Sequence, residues 1–122
     1  MMTLFHYRYR DANNYKANGT VALTGVVPSE CWEAALMRLE ESEFFVAEQL
    51  DIPPLYSALY EFSNGPTLAD HCWHEFVEVA VTDTIEPDTP LWGNATDFTA
   101  RLLAVSEWKG SLSPHFCLGA YT

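Results

Sequence analysis

Hydrophobic and polar residues alternate at the start of the chain. Phe5, Tyr7 and Tyr9 are interleaved with polar and basic residues, and this period of two predicts a β-strand up to residue 10. The run 19–27 is rich in β-branched residues and predicts a second strand. The residues between these runs are turn formers, so we expect an antiparallel hairpin with a long loop.

A helical period follows the hairpin. Its apolar positions, which share one face of a helix, are Trp32, Ala35, Leu36 and Leu39. Ser29 is a residue type that caps helix N-termini, and the helix is expected to begin there and to end near Ser42.

A second helix is predicted after residue 93. Asn94 and Asp97 stand three residues apart, which is close to a capping box. The apolar positions that follow are Phe98, Leu102 and Val105, and Lys109 with Gly110 marks the expected end.

The middle of the chain predicts further extended segments. The run 73–82 alternates, which places Trp73, Val77, Val79 and Val81 on one face and His74, Phe76, Glu78 and Ala80 on the other. Residues 44–46 are apolar without a clear period, 55–62 are expected to be extended, and the proline-rich stretch 83–93 predicts a loop.

These elements predict one α+β domain that covers residues 1–122. Their order is ββαββα, and a mainly antiparallel sheet with two helices packed on one face would bury both helical stripes. Residues 110–122 have no clear period and are expected to form an irregular tail. A chain of 122 residues is long enough to bury a core without disulfides or a metal.

The charge changes the functional picture. There are 17 acidic and 6 basic residues, which gives a formal net charge of −11. Nucleic acids and anionic membrane surfaces are therefore poor partners, whereas a basic protein, a cationic ligand or a divalent metal is compatible, as is a merely solubilising surface. Three of the six bases lie in the first 20 residues, so the predicted hairpin is the one locally basic element.

The remaining composition favours the cytoplasm. The three cysteines are widely spaced and form no CxxC motif, which is unlike a secreted disulfide framework. The N-terminus lacks the apolar region of a signal peptide, and no stretch has the length of a membrane span. No phosphate loop or dinucleotide fingerprint occurs, and no cofactor is expected.

The run Asp70–Glu75 has the densest group of side chains that can bind a metal or transfer a proton in the sequence. His71, His74 and Glu75 are residue types that bind zinc, but their order matches neither His-Glu-x-x-His nor its inversion. On a strand, His74 points away from the other two, which weakens the metal hypothesis against histidines that are hydrogen-bonded at a strand end. General acid–base chemistry by a His–carboxylate pair is weaker still. Cys72 beside acids is better explained as a buried apolar residue than as a nucleophile.

The tip of the predicted hairpin is a second candidate. Tyrosine and arginine are enriched at binding hot spots, and this loop also carries Asp11 and asparagines, which could instead cap backbone groups. The full set of candidate binding residues is Arg10, Asp11, Asn14, Tyr15, Lys16, Asp70, His71, Trp73, His74 and Glu75.

Three segments together resemble a known family. The patterns YRDA with NYK (9–16), EFF with EQ (43–49) and DH with WHE (70–75) resemble those of a family of small, uncharacterised acidic bacterial proteins. The resemblance spans about residues 7–79. Because no activity is established for that family, it implies no catalytic residue, but it implies that the three segments converge on a common site.

Two functional hypotheses follow. The first is a non-enzymatic protein-binding module, similar to an immunity or inhibitor protein, which uses its acidic surface to neutralise a basic protein partner. The acids that follow Ser29, from Glu30 to Glu41, are the natural place for that surface. The second is a small metal-dependent or acid–base enzyme centred on His71, His74 and Glu75, which requires these side chains to converge in a pocket.

Overall fold

The computed structural model describes residues 1–10, 16–55 and 73–108. The α+β class is confirmed. The strands are β1 (Met2–Arg10), β2 (Lys16–Thr24), β3 (Phe44–Val46), β4 (Trp73–Thr82) and β5 (Leu91–Asn94). The helices are α1 (Ser29–Leu36) and α2 (Ala95–Leu103), and a 3₁₀ helix spans Ala47–Leu50.

The five strands form one sheet in the order β3-β4-β1-β2-β5. The pairs β3–β4, β4–β1 and β1–β2 are antiparallel, as expected, but β2 and β5 pair in parallel, so the sheet is mixed. The sequence predicted a loop at β5, because two prolines precede this short strand and a glycine lies within it. The order is therefore ββαβββα.

The core lies on one face of the sheet, under both helices. Phe5 at its centre is fully buried, and its ring lies 4.9 Å from that of Phe98 on α2 and 6.2 Å from that of Trp32 on α1, measured between ring centroids. Phe45 from β3 packs against the same ring at 5.8 Å. These contacts confirm the predicted packing of both helices on one face.

The hairpin and the first helix differ from their predicted bounds. β2 begins at Lys16, three residues before the predicted start, because Lys16 pairs directly with Arg10 and extends the ladder to the end of β1. The helix α1 begins at Ser29 but ends at Leu36 rather than near Ser42. The chain turns back early because the backbone of Glu40 exchanges both hydrogen bonds with Phe44 at the start of β3.

The second helix has the predicted N-terminus. The Asn94 side-chain oxygen accepts a hydrogen bond of 2.7 Å from the Asp97 backbone N–H, and its amide donates to the Asp97 carboxylate at 3.0 Å. Phe98 and Leu102 are fully buried, as the apolar period predicted. The helix ends at Leu103, six residues before the predicted Lys109.

The predicted alternation of β4 is wrong beyond Phe76. The register of β4 on β1 shifts between His6 and Tyr7, so that Val77 is an extra residue, a β-bulge, between the partners of those two residues. The bulge exchanges the faces of all later residues, and Glu78 therefore points away from the face that carries His74.

The segment predicted to be extended, 55–62, lies outside the described residues except for Leu55, as does the tail 110–122. None of the helices in the described ranges is long and apolar enough to cross a membrane.

Candidate functional site

The face of the sheet opposite the helices carries a ladder of polar side chains, which we call the open face. Cross-strand partners point to the same side of a sheet, so the register defines its rows. One row is Glu75, Arg8 and Asn18, and the next is Glu78, His6 and Thr20. Beyond the first row, Arg10 lies directly opposite Lys16.

The bulge at Val77 makes this arrangement possible. Glu75 and Glu78 are three residues apart, and in a regular strand an odd separation places side chains on opposite faces. With the extra residue between them, both carboxylates face the open side, opposite Arg8 and His6 respectively. β-Bulges are common where a strand must re-aim a side chain.

Glu75 links the open face to two arginines. Its carboxylate accepts a hydrogen bond of 2.6 Å from the Arg8 Nε–H and lies 3.5 Å from the Nε of Arg10. The Glu75 side chain is only 9% exposed, whereas those of Arg8 and Arg10 are 31% and 37% exposed. The mostly buried carboxylate therefore contacts two arginines that are each about one-third exposed, and it is hydrogen-bonded to Arg8 alone.

One end of the open face, which we call the cationic end, holds three positively charged side chains close to one another. Arg10 and Lys16 are directly opposed in the sheet, and Arg8 stands two residues along the same strand. Like charges in directly opposed positions destabilise a strand pair. Among the described residues, Glu75 is the one acid that forms an ion pair with any of these three cations, so these four side chains together carry a net positive charge.

A cavity of about 430 Å³ adjoins this cluster on the open face. The His6 Nδ1 and the Thr20 hydroxyl are hydrogen-bonded at 2.7 Å on its floor. Asp88 and Thr89 form another wall, because the connection from β4 to β5 has to cross β1 and β2 and does so on this side. Asn18 belongs to both the cavity and the row of Arg8, which makes the two continuous.

A second concave surface lies at the β3 edge of the sheet, and we call it the edge groove. It has a volume of about 370 Å³ and is lined by Glu40, Glu41, Phe44 and Trp73. Glu41 and the next residue, Ser42, both have a left-handed backbone, with φ of 54° and 59°. Non-glycine residues rarely adopt this conformation, so the turn that carries the two glutamates is held at a local energetic cost.

The structure divides the candidate residues that the sequence singled out. Arg10, Lys16, Trp73 and Glu75 lie on the open face or at the groove beside it. His74 lies on the opposite face. The others, which fall outside the described residues, are Asp11, Asn14, Tyr15, Asp70 and His71.

His74 is part of the core. It is fully buried, and its ring lies 5.1 Å from that of Tyr9 and 5.9 Å from that of Phe45. The His74 Nε2 accepts a hydrogen bond of 2.9 Å from the Leu55 backbone N–H, which requires an unprotonated nitrogen. The imidazole thus anchors the chain that leaves the 3₁₀ helix.

The described residues do not assemble the metal ligands that the sequence suggested. His74 and Glu75 point to opposite faces of β4, as expected for neighbours in a strand, and His71 lies outside the described ranges. Among the residues that the structure describes, no group of three His, Cys, Asp or Glu is placed to hold a metal ion.

Sequence reasoning missed part of the open face. His6, Asn18, Thr20 and Asp88 line the cavity but were not candidates. His6 alternates with Phe5 and Tyr7, so the same period that predicted β1 places it on the face away from the core. The strand register and the bulge, which bring the other residues to it, have no signal in a single sequence.

The described parts of the three segments that carry the family resemblance lie on neighbouring strands. β1 pairs with β4 and β4 with β3, which brings residues 7–9, 44–46 and 73–75 next to one another, whereas 11–15 and 70–72 lie outside the described residues. No family model, curated protein or solved structure matches the chain. The resemblance to the bacterial family stays a prediction.

Proposed function

We propose that the protein is a non-enzymatic binding module that captures a basic protein partner, in the manner of an immunity or inhibitor protein. The edge groove is the observation that carries this proposal. It combines an aromatic floor, Phe44 and Trp73, with a carboxylate rim, Glu40 and Glu41. A lysine or arginine side chain fits such a surface, because its stem packs on rings while its charged head meets carboxylates.

The surroundings of the groove strengthen the attraction for a cation. The segment from α1 into β3 carries five exposed glutamates, which are Glu30, Glu33, Glu40, Glu41 and Glu43. None of them forms an ion pair with a described residue. The one base in this segment, Arg38, points its guanidinium to the Val105 carbonyl at 3.4 Å. A field of one sign of this kind raises the association rate of an oppositely charged partner.

The groove is also shaped before any partner arrives. The backbone of Glu40 pairs with Phe44 on the outer side of β3, so the edge strand is already occupied there and offers its side chains rather than its backbone. The left-handed residues Glu41 and Ser42 fix the turn. Pre-organisation lowers the entropic cost of binding.

The enzyme hypothesis receives no support from the described residues. It needs His74 and Glu75 to converge, and they lie on opposite faces of the sheet, one hydrogen-bonded to Leu55 and the other to Arg8.

The test compares two double variants with the same change in net charge. Binding of a fluorescein-labelled oligo-arginine peptide is measured by anisotropy at several salt concentrations. Glu40→Gln with Glu41→Gln removes the groove rim, and Glu30→Gln with Glu33→Gln removes two exposed acids on α1. We expect about a tenfold or greater loss of affinity for the first variant and about a two- to threefold loss for the second.

The wild-type affinity should also fall as salt rises, because the interaction is between charges on the surface. No measurable binding at low salt, or equal losses in the two double variants, would contradict a specific groove for a basic partner.

A further inference from the structure

The cationic end of the open face, formed by Arg8, Arg10 and Lys16, carries hydrogen-bond donors that suit an anion. Glu75 engages Arg8 and Arg10 through their Nε atoms, at 2.6 and 3.5 Å. A guanidinium has five N–H donors, so this side-on contact leaves the two terminal nitrogens of each arginine available. No described residue accepts a hydrogen bond from these terminal nitrogens, nor from the Lys16 ammonium.

Contacts with Glu75 and the strand register hold these three cations in place. The side chain of Glu75 is nine-tenths buried, and its carboxylate accepts a hydrogen bond from the Arg8 Nε–H. It lies 3.5 Å from the Arg10 Nε, which has no hydrogen-bond partner among the described residues. Lys16 is held directly opposite Arg10 by the β1–β2 register. Two guanidinium groups and an ammonium on neighbouring positions of the sheet suit the tetrahedral oxygens of a phosphate, which accept paired hydrogen bonds.

The adjoining cavity has a different character. Its volume is about 430 Å³, and its polar lining includes the His6–Thr20 pair, Asn18 and the two acidic residues Glu78 and Asp88. This volume is in the range of small-molecule sites, and its polar groups suit hydroxyl or amino groups rather than an apolar body. Since Asn18 lies opposite Arg8, a ligand bound by the arginines would extend into this space.

The geometry points to a second binding site on the open face, for a small phosphate monoester with a hydroxylated or amino body. Arg8, Arg10 and Lys16 bind the phosphate, and the cavity beside His6 and Asp88 receives the remainder of the molecule. The site is separate from the edge groove and does not depend on the proposed basic partner, because it attracts the opposite charge.

The first experiment tests the phosphate receptor with inorganic phosphate as the probe. Amide chemical shifts of labelled protein are followed in a phosphate titration at low salt. Lys16→Gln and Arg10→Gln each remove one cation and leave the Arg8–Glu75 pair in place, and Arg38→Gln is the control with the same change in net charge. We expect each site variant to weaken binding about five- to tenfold and the control to weaken it less than about twofold.

The second experiment tests the role of the cavity. Phosphoethanolamine and glycerol 3-phosphate are titrated beside inorganic phosphate and beside ethanolamine. Tighter binding of either monoester than of phosphate, lost on Asp88→Asn for the amino compound, supports a ligand body in the cavity. Equal affinities for the monoesters and phosphate would overturn that part and leave a site for free phosphate.

One result would overturn the whole proposal. If phosphate up to about 10 mM produces no shifts at residues around Arg8, Arg10 and Lys16, or if Arg38→Gln weakens binding as much as Lys16→Gln, the cluster does not act as a receptor. Oligo-arginine binding at the edge groove is unaffected by either outcome, so the two proposals fail separately.

Discussion

The two faces of the sheet use the same strands for different purposes. On β1, the residues Phe5, Tyr7 and Tyr9 are almost completely buried under the helices and the neighbouring rings, whereas Arg8 and Arg10, which each follow one of the tyrosines, are about one-third exposed. The core face gains stability from packed aromatic area. The open face keeps opposed like charges, which lower stability. This contrast indicates that packing on one face specifies the fold, and the other face is the one on which we propose a ligand site.

The largest effect should come from the centre of the core face. Phe5→Ala removes a fully buried ring that contacts rings from both helices, and we expect unfolding to become easier by about 3–5 kcal/mol. Leu4→Ala, one residue away on the open face and half-buried, should lower stability by about 1 kcal/mol or less. Urea denaturation followed by circular dichroism measures both. Similar losses in the two variants would show that the faces do not differ in this way.

His74 and Glu75 are consecutive residues of β4 that point to opposite faces of the sheet, so a variant of His74 also tests the difference between the faces. His74→Leu leaves the Leu55 N–H without its acceptor inside the protein, which should lower stability by about 1–3 kcal/mol. Phosphate affinity in the folded variant should not change, since the imidazole points away from the open face. A loss of phosphate binding with unchanged stability would place His74 in a site and contradict its structural role.

Gly19 lies where the core face is too tightly packed for a larger residue. A Cβ added there would lie 2.8 Å from the Leu55 Cδ2 and 3.0 Å from the Tyr7 Cζ. The Tyr7 ring cannot withdraw easily, because its hydroxyl donates a hydrogen bond of 2.6 Å to the Pro53 carbonyl. Gly19→Ala should therefore lower stability by about 1–3 kcal/mol.

A double variant tests the physical reason for the Gly19 effect. Leu55→Ala removes the closer of the two obstacles, so adding Gly19→Ala to it should cost less than adding the same change to the wild type. If the two changes are simply additive in chemical denaturation, the crowding is not the cause of the loss.

Local patterns were enough to predict most of the core face. The alternation of Phe5, Tyr7 and Tyr9 and the Asn94 cap are determined by neighbours in sequence, and β1 and the start of α2 were predicted correctly. The end of α1 was not, because it depends on the pairing of Glu40 with Phe44 across a turn. Strand β5 was missed for a similar reason, since its short segment is extended only through its contact with β2.

The candidate site was less accessible to sequence reasoning. Arg10, Lys16 and Glu75 were among the candidates, but the arrival of Glu75 beside the arginines follows from the β1–β4 register, which joins Arg8 and Glu75 across 67 positions of the sequence. The bulge at Val77 reversed the predicted face of Glu78. A single extra residue in a strand changes every later side-chain direction, and composition around Val77 gives no indication of it.

The smallest effect on stability is expected at alkaline pH, and it comes from Tyr7 on the core face. Burial raises the pKa of the Tyr7 phenol well above its usual value of about 10. Above about pH 10 the unfolded chain therefore releases this proton while the folded protein retains it, so the free energy of unfolding should fall by up to about 1.4 kcal/mol per pH unit. Tyr7→Phe should lose about 1 kcal/mol at neutral pH with the bond to Pro53, and should show a shallower decline in alkali. Urea midpoints measured between about pH 9 and pH 11 give both slopes. Parallel slopes for the two proteins would mean that the Tyr7 phenol ionises as readily in the folded state as in the unfolded chain, which a tightly packed core face does not allow.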